Sequence, residues 1–303
     1  MLTEQIYQKR FAARIAIFTA VGLAIFKFTI GFFTGSLAVI GSGLDSLLDS
    51  AASLINFLAI KKADAAPTTI YRYGFGKIEG LAGLVQGLVI ASSGISLFYF
   101  SIQKIRFGVK LQALEIGVLT MFTSAIISFF LVRFLKNVAK KTNSLALEAD
   151  SAHYATDIWA NVGILISLII IHFSGFVLLD PLISLFIAGY IVFAAIQILQ
   201  KSIAILLDRE LDETTRKKII KIIKSFQGFK KMEGYHALRT RQSGSKLVIE
   251  IHLVFAEDAT LLEAHAASDE VMRKIKKAFT NTDVTIHLDP YDDSHDPDNP
   301  TLY

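Results

Sequence analysis

The sequence predicts a membrane protein with six α-helical spans, followed by a small water-soluble α+β domain. Long apolar runs fill the first two thirds of the chain, whereas charged residues concentrate in residues 208–303. Hydrophobic residues make up 52% of the 303 residues, and the mean hydropathy is +0.49. A soluble domain already reaches about 45–50% apolar residues. The uneven distribution, more than the total, therefore indicates a membrane region and a soluble region.

Six apolar runs are long enough to cross the hydrocarbon layer, which takes about 20 residues in a helix. Proline at position 181 falls in the first turn of the sixth run, where it is well tolerated. The polar start of the chain lacks a small-residue cleavage site, so the first run is expected to be a retained span. The predicted spans are residues 11–33, 37–62, 80–105, 112–136, 145–173 and 178–206.

The basic residues predict the orientation of these spans. They precede the first span and follow the second and fourth, whereas the opposite side has one basic loop, with Lys104, Arg106 and Lys110. The positive-inside rule then places both termini in the cytoplasm, in a multi-pass protein of the cell (inner or plasma) membrane. Topology also accounts for the net charge of +4, so neither nucleic acid nor nucleotide is expected as a partner.

The soluble part alternates helical and strand patterns. Alternation of apolar and polar residues, as in LVIEIHLVF, predicts strands, and longer mixed runs predict helices. The domains are therefore expected at 1–207 and 208–290, with a disordered tail rich in Asp and Pro at 291–303. The predicted elements are a helix at 212–226, strands at 233–241 and 246–255, a helix at 260–278 and a strand at 283–289.

Two pairs of ionisable residues lie inside predicted spans, where such groups are costly and mark functional sites. Asp45 and Asp49 lie in the second span, and His153 and Asp157 lie in the fifth. Each pair is spaced i, i+4 and therefore shares one helix face. Lys27 of the first span is expected to extend its amine toward the membrane surface instead.

A depth estimate indicates that the two pairs can meet. At about 1.5 Å of rise per residue, Asp45 and Asp49 lie about 12 and 18 Å from the outer end of their span. His153 and Asp157 lie about 12 and 18 Å from the inner end of theirs. In a layer of about 30 Å, all four groups are near mid-membrane.

Three carboxylates and one imidazole suit Zn²⁺ in tetrahedral coordination. The chain has no cysteine, which disfavours Cu(I) and allows Zn²⁺, Cd²⁺, Fe²⁺, Mn²⁺, Co²⁺ or Ni²⁺. A proton relay or interhelical hydrogen bonding is the alternative interpretation of the four groups. No P-loop and no HExxH motif occurs, so ATP drive and metallohydrolase chemistry are not indicated, and the chain is not expected to be an enzyme.

Several stretches together resemble the cation diffusion facilitator family, in particular its bacterial zinc, cadmium and iron efflux type. They are GSLAVIGSGLDSLLDSAASLINF, RYGFGKIEGLAGL, ALEADSAHYATDIWANVGIL, SIAILLDREL, HALRTRQSG, VIEIHL and VTIHLDP. The resemblance implies a homodimeric, proton-coupled exporter with six spans and a cytoplasmic ferredoxin-like domain of order αββαβ. It also implies that Asp45, Asp49, His153 and Asp157 form the transport site.

The resemblance further implies a cytosolic binuclear metal site at the dimer interface, with a regulatory or dimer-stabilising role and Asp289 as a bridge. It also implies a salt bridge between Lys77 and Asp208. Close relatives carry a third site in the loop after the second span, but this chain has Thr68, Tyr71 and Phe75 there, so that site is predicted to be absent. The cytosolic ligands are expected to be His236, His252, His265, His287 and Asp289.

The function expected from these features is proton-coupled antiport of a divalent transition metal, with Zn²⁺ as the first candidate and Cd²⁺ or Fe²⁺ as others. Metal ligands must lose protons to bind, so one cluster can exchange metal for protons. The alternative is a metal-responsive signalling or structural membrane protein that binds metal without transporting it.

Overall fold

The computed structural model describes residues 2–35, 37–107, 115–174 and 178–290. The chain forms two compact units, Thr3–Ile203 and a second unit that begins at Ala204. The predicted tail at 291–303, and residues 112–114 of the predicted fourth span, lie outside the described residues.

The first unit is built from long helices. Five of the six helices of this unit, all except the fifth, are long and apolar enough over their described residues to cross a membrane. The first helix begins at Leu2, well before the predicted residue 11, because hydropathy marks only the apolar part of a helix whose polar first turns are also helical. The helices are α1 (Leu2–Thr34), α2 (Leu37–Ala63), α3 (Ile78–Phe107), α4 (Glu115–Thr142), α5 (Leu145–Ser174) and α6 (Leu179–Leu206).

Small residues let these helices approach closely. α1 contributes a stripe of buried alanines, including Ala12, Ala16 and Ala20, to a core shared with α2, α4 and α5. On α3, a Cβ at Gly87 would lie 2.8 Å from a methyl carbon of Leu199 on α6. Apolar attraction between helices is weak in lipid, so this close contact is a main source of helix association.

A buried ionic network, defined by Lys9, Asp64, Glu79 and Ser144, joins four segments of the first unit. The Lys9 amine lies 2.5 Å from Asp64 Oδ1 and 2.9 Å from Glu79 Oε1. Ser144 donates a 2.7 Å hydrogen bond to Glu79 Oε2. Arg10 Nε lies 3.6 Å from Asp64 Oδ2. The network is buried, with the Lys9 and Glu79 side chains 1% and 0% exposed, so its charges depend on one another for stabilisation.

The second unit is a three-stranded mixed sheet with two helices. Its elements are α7 (Glu213–Lys224), β1 (Met232–Ser243), β2 (Lys246–Phe255), α8 (Leu261–Ala278) and β3 (Thr282–Asp289). The strand order is β1-β2-β3, with β1 antiparallel and β3 parallel to β2. A short 3₁₀ turn, Phe229–Lys231, precedes β1. These elements follow the predicted order within a few residues at each end.

Both helices of this unit begin at capped residues. Asp212 accepts a hydrogen bond from the backbone N–H of Thr215, and Thr260 and Glu263 form a reciprocal capping box. Hydrogen bonds from Thr214 and Thr215 lower the pKa of Asp212 to about 2. The apolar faces of α7 and α8 cover the sheet, with Ile223, Ile251 and Val271 fully buried in the shared core.

Candidate metal centres

The polar residues of α2 form one continuous face. Ser42, Asp45, Ser46 and Asp49 follow the spacing i, i+3, i+4, i+7, which places them on a single stripe of a helix. α5 packs against α2, α3 and α4, so the matching face of α5 meets this stripe inside the first unit. The sequence prediction that the two ionisable pairs face each other agrees with this packing.

Three of the four predicted transport ligands meet at one point, defined here as the membrane cluster: Asp49, His153 and Asp157. His153 Nε2 lies 2.8 Å from Asp49 Oδ1 and 3.8 Å from Asp157 Oδ2. One ligand atom from each residue lies within 4.8 Å of the others, a spacing that fits a single metal ion. The His153 side chain is 5% exposed, whereas Asp49 and Asp157 are 22% and 37% exposed.

Asp45 lines the same cavity but is not part of this group of three. The cavity holds about 720 Å³, and Asp45, Asp49, His153 and Asp157 all contribute to its wall. Asp45 lies one turn from Asp49 along α2, so its carboxylate is available to the same space. The structure thus brings three predicted ligands into contact distance and the fourth to the shared cavity.

Two buried atoms of the membrane cluster have no hydrogen-bond partner among the described residues. They are His153 Nδ1 and Asp157 Oδ2. Buried polar atoms in proteins are almost always paired, and the exceptions often mark a site for an ion or a proton. The donor set, one imidazole and carboxylates, also matches the nitrogen and oxygen ligands that Zn²⁺ accepts.

A buried carboxylate outside the membrane cluster, Asp150, supports it from one turn earlier on α5. Ser53 donates to Asp150 Oδ1 at 3.0 Å, and Asn56 donates to the same oxygen at 3.3 Å. Ser53 Oγ also lies 2.8 Å from the Tyr154 hydroxyl. These bonds tie α5 to α2 beside His153 and fix the two helices in register.

The second unit brings together four of its five predicted ligands, in what we call the cytosolic cluster: His236, His252, His287 and Asp289. The strand register pairs His236 with His252 and His252 with His287, so the histidines form a row across the sheet. Asp289 Oδ2 lies 3.0 Å from His236 Nε2 and 2.9 Å from His252 Nδ1. Asp289 Oδ1 lies 3.1 Å from His287 Nε2.

Local backbone geometry places His236 in this row. The β1–β2 register shifts between His236 and Arg239, where Ala237 has a φ of 53°. Such a β-bulge re-aims a neighbouring side chain, and bulges are common beside functional sites. The carboxylate of Asp289 is 7% exposed and contacts three imidazoles, which suits the bridging position implied by the resemblance.

The fifth predicted cytosolic ligand, His265, lies elsewhere. It is on α8, where its side chain is 67% exposed and its Nε2 lies 3.5 Å from Asp269 Oδ2. The salt bridge predicted between Lys77 and Asp208 joins residues of the two units and stays a prediction. Within its own unit, Asp208 Oδ1 lies 3.3 Å from Arg241 Nη1.

The loop after α2 is stabilised by aromatic, cation–π and hydrogen-bond contacts. Tyr71 and Phe75 pack with ring centroids 4.9 Å apart, and the Lys62 amine lies 3.9 Å from the centre of the Phe75 ring. Thr68 and Tyr71 exchange hydrogen bonds through the Thr68 hydroxyl and their backbones. The predicted absence of a loop metal site stays a prediction.

Comparison with known protein families identifies the family to which this chain belongs. The family model described as the cation efflux transmembrane domain matches residues 13–207. The chain belongs to the cation efflux family. A second model, described as the cytoplasmic domain of cation efflux proteins and labelled as a dimer domain, matches residues 211–291. The predicted membership of the cation diffusion facilitator family is confirmed, and this cation efflux protein is a multi-pass membrane protein.

Individual relatives cover almost the whole chain. The cation-efflux pump FieF of Shewanella oneidensis is 35% identical over 281 residues, which is 93% of this chain and 94% of the relative. FieF of Klebsiella pneumoniae is 36% identical over 279 residues, which is 92% of each chain. A solved structure of the zinc form of CzrB, described as a candidate zinc transporter, is 31% identical with a TM-score of 0.26. It covers 27% of this chain and 92% of that one.

Sequence reasoning missed two features around the membrane cluster of this cation efflux protein. Lys27 does not extend to the membrane surface: it is 8% exposed and lines the cavity of the cluster. The prediction was wrong because hydropathy does not reveal the rotation of α1 about its axis. Asp150 was also overlooked. It lies three residues before His153 on the same helix face, and this spacing could have indicated that it lies near the cluster.

Proposed function

We propose that this protein is a proton-coupled antiporter that exports a divalent transition metal from the cytoplasm. Its substrate binds to Asp45, Asp49, His153 and Asp157 in tetrahedral coordination. The observation that carries the proposal is the meeting of His153 Nε2 with carboxylates from two helices, in a cavity that Asp45 also lines. Membership of the cation efflux family supports transport over a purely structural role.

Proton coupling follows from the chemistry of the ligands. Carboxylates and imidazole bind metal only when deprotonated, so metal and protons compete for the same atoms. Three carboxylates crowded without a metal ion repel one another, and protons relieve that repulsion after the metal leaves. The same four groups can therefore carry metal outward and protons inward in alternating conformations.

The proposed topology has six spans with both termini in the cytoplasm of the cell membrane. α5 serves as the remaining span, because its 30 residues reach about 45 Å as a helix, more than the hydrocarbon thickness. Its polar residues Asp150, His153 and Tyr154 bond to side chains of α2, which keeps these groups inside the packed unit. The basic residues in the first turns of α1, at the end of α2 and in the loop after it, and at the end of α4 support the cytoplasmic orientation.

Zn²⁺ is the first candidate substrate, with Cd²⁺, Fe²⁺ and Mn²⁺ as others. One imidazole with three carboxylates suits Zn²⁺, but affinity order alone does not fix selectivity at such a site. The matching relatives named FieF are cation-efflux pumps, which supports outward transport.

The cytoplasmic domain is proposed to be a ferredoxin-like homodimerisation domain with a regulatory metal site. Its element order, αββαβ, supports this fold. The cytosolic cluster offers three imidazoles and one bridging carboxylate, and binding energy at such a site can stabilise a dimer. His265 is exposed on α8 and would join the site from the partner subunit. The Lys77–Asp208 pair is proposed to link the membrane and cytoplasmic domains.

Inside-out vesicles test this proposal directly. Zinc accumulation should depend on an imposed pH gradient, acidic inside, and should collapse when an ionophore removes the gradient. Asp49→Ala should abolish accumulation, and His153→Asp, measured across a panel of Zn²⁺, Cd²⁺, Fe²⁺ and Mn²⁺, should shift the order of preference. Equal accumulation with and without the gradient would contradict proton coupling.

The same assay separates transport from metal sensing. A metal-responsive signalling protein would bind zinc at the cytosolic cluster and show no vesicular accumulation in the unmodified chain. A transporter instead loses accumulation in Asp49→Ala while that variant still binds zinc at its cytosolic cluster.

A further inference from the structure

Lys27 is a buried cation placed at the rim of the membrane cluster. Its side chain is 8% exposed, and its amine donates a 2.8 Å hydrogen bond to Ser46 Oγ and a 3.4 Å bond to the Ser42 carbonyl. An ionised amine inside a span is costly unless it is paired, so a specific reason is needed for its position.

The partners of Lys27 share the α2 face that carries the acidic ligands. Ser42 and Ser46 alternate along this stripe with Asp45 and Asp49, so anchoring the amine to the serines aligns it beside both carboxylates. The carboxylates of Asp49, Asp157 and Asp45 all act electrostatically on this amine. Lys27 also lines the cavity of the membrane cluster, together with Ser46 and the four proposed ligands.

Among the described residues that line this cavity, Lys27 is the sole lysine or arginine. Three carboxylates, the Lys27 ammonium and one divalent cation together carry no net charge. Without Lys27, the loaded site would retain a negative charge inside the low-dielectric bundle and would hold a divalent cation more tightly.

We propose that Lys27 is a built-in counter-charge of the transport site, which weakens metal binding so that a divalent cation can be released. This inference rests on the function proposed above and adds a residue outside the proposed set of four ligands. Ser46 and Ser42 hold the charge of Lys27 beside the carboxylates, and its repulsion of the metal lowers the affinity of the site.

Lys27→Gln tests the inference, because glutamine keeps a donor for Ser46 and removes the charge. In proteoliposomes of the full chain, KM for zinc should fall at least about tenfold, and the maximal rate should fall because release slows. Lys27→Arg keeps the charge and should resemble the unmodified protein. Thr29→Val, an exposed position nearby on α1, is the matched control and should leave both parameters unchanged.

A purely structural role for Lys27 predicts the opposite change in KM for zinc. Loss of a helix contact would raise KM or reduce the folded fraction in size-exclusion chromatography, and it would not tighten binding. If Lys27→Gln does not fold, Lys27→Met offers a second uncharged variant with the same expected tightening.

Equilibrium zinc binding gives a second readout. It should be measured in an Asp289→Asn background, so that the cytosolic cluster contributes little. An unchanged or weaker affinity in the uncharged variants, with transport still abolished by Asp49→Ala, overturns the inference and leaves the proposed function standing. Normal transport by Asp49→Ala overturns both.

Discussion

Replacement of Lys9 by methionine is expected to destabilise the membrane unit strongly. The substitution keeps the length of the side chain but removes the charge that lies 2.5 Å from Asp64 and 2.9 Å from Glu79. Arg10, 3.6 Å from Asp64 Oδ2, can partly compensate that carboxylate. Glu79, fully buried, keeps only the Ser144 hydroxyl among the contacts described above. Removing one partner of a buried ion pair costs about 3–5 kcal/mol, because the other charge remains buried.

That cost corresponds to a fall in melting temperature of roughly 6–20 °C for a unit of this size, at about 2–4 °C per kcal/mol. The assay is thermal unfolding in detergent, followed by the fraction that stays monodisperse after heating. Lys140→Met removes an exposed lysine near the end of α4 and should change stability by less than about 0.5 kcal/mol.

A compensated variant separates charge from packing. Lys9→Met combined with Asp64→Asn and Glu79→Gln removes the whole set of charges, and replacing a buried ion pair as a unit is often neutral. This triple variant should recover most of the lost stability. A Lys9→Met protein as stable as Lys140→Met, or a triple variant no better than the single one, would refute the role assigned to the network.

Three further predictions concern other parts of the chain. Asp212→Ala should destabilise the cytoplasmic domain by about 0.5–2 kcal/mol through loss of the α7 cap. Because the folded pKa of Asp212 is lowered to about 2, its contribution should be present above about pH 4 and disappear as the pH falls toward 2, as measured by acid titration of helical circular dichroism. Gly87→Val should cost about 1–3 kcal/mol in unfolding free energy, measured by thermal unfolding, because a Cβ added there would lie 2.8 Å from a methyl carbon of Leu199. Asp289→Asn should lower the number of zinc ions bound per chain and weaken dimerisation, as measured by calorimetry and analytical ultracentrifugation, while zinc transport persists.

The meeting of Asp49, His153 and Asp157 was predictable because its signal in the sequence is local. Asp45 and Asp49, like His153 and Asp157, each lie one turn apart, and a helix of known rise fixes both their shared face and their depth. The row of histidines in the cytoplasmic domain was harder to predict from the sequence. Its register depends on the bulge after His236, which no local pattern in the sequence indicates.

The ionic network around Lys9 could not be predicted in the same way. Its members come from α1, the end of α2, the start of α3 and the residue before α5, and each charge read alone is typical of a membrane surface. Long side chains such as Lys9 and Lys27 can point outward or inward from the same backbone position. Only the rotation of each helix, which follows from packing of the entire bundle, decides between these directions.

The central claim is that the membrane cluster carries the metal and the cytosolic cluster does not. The most direct measurement compares zinc flux driven by a pH gradient in proteoliposomes of Asp49→Asn and Asp289→Asn, reconstituted at equal density. Asp49→Asn should lose flux by more than the roughly 10–100-fold effect typical of residues that only support a metal ligand. Asp289→Asn should retain flux within a few-fold of the unmodified protein. Comparable loss in both variants, or retained flux in Asp49→Asn, would contradict the account.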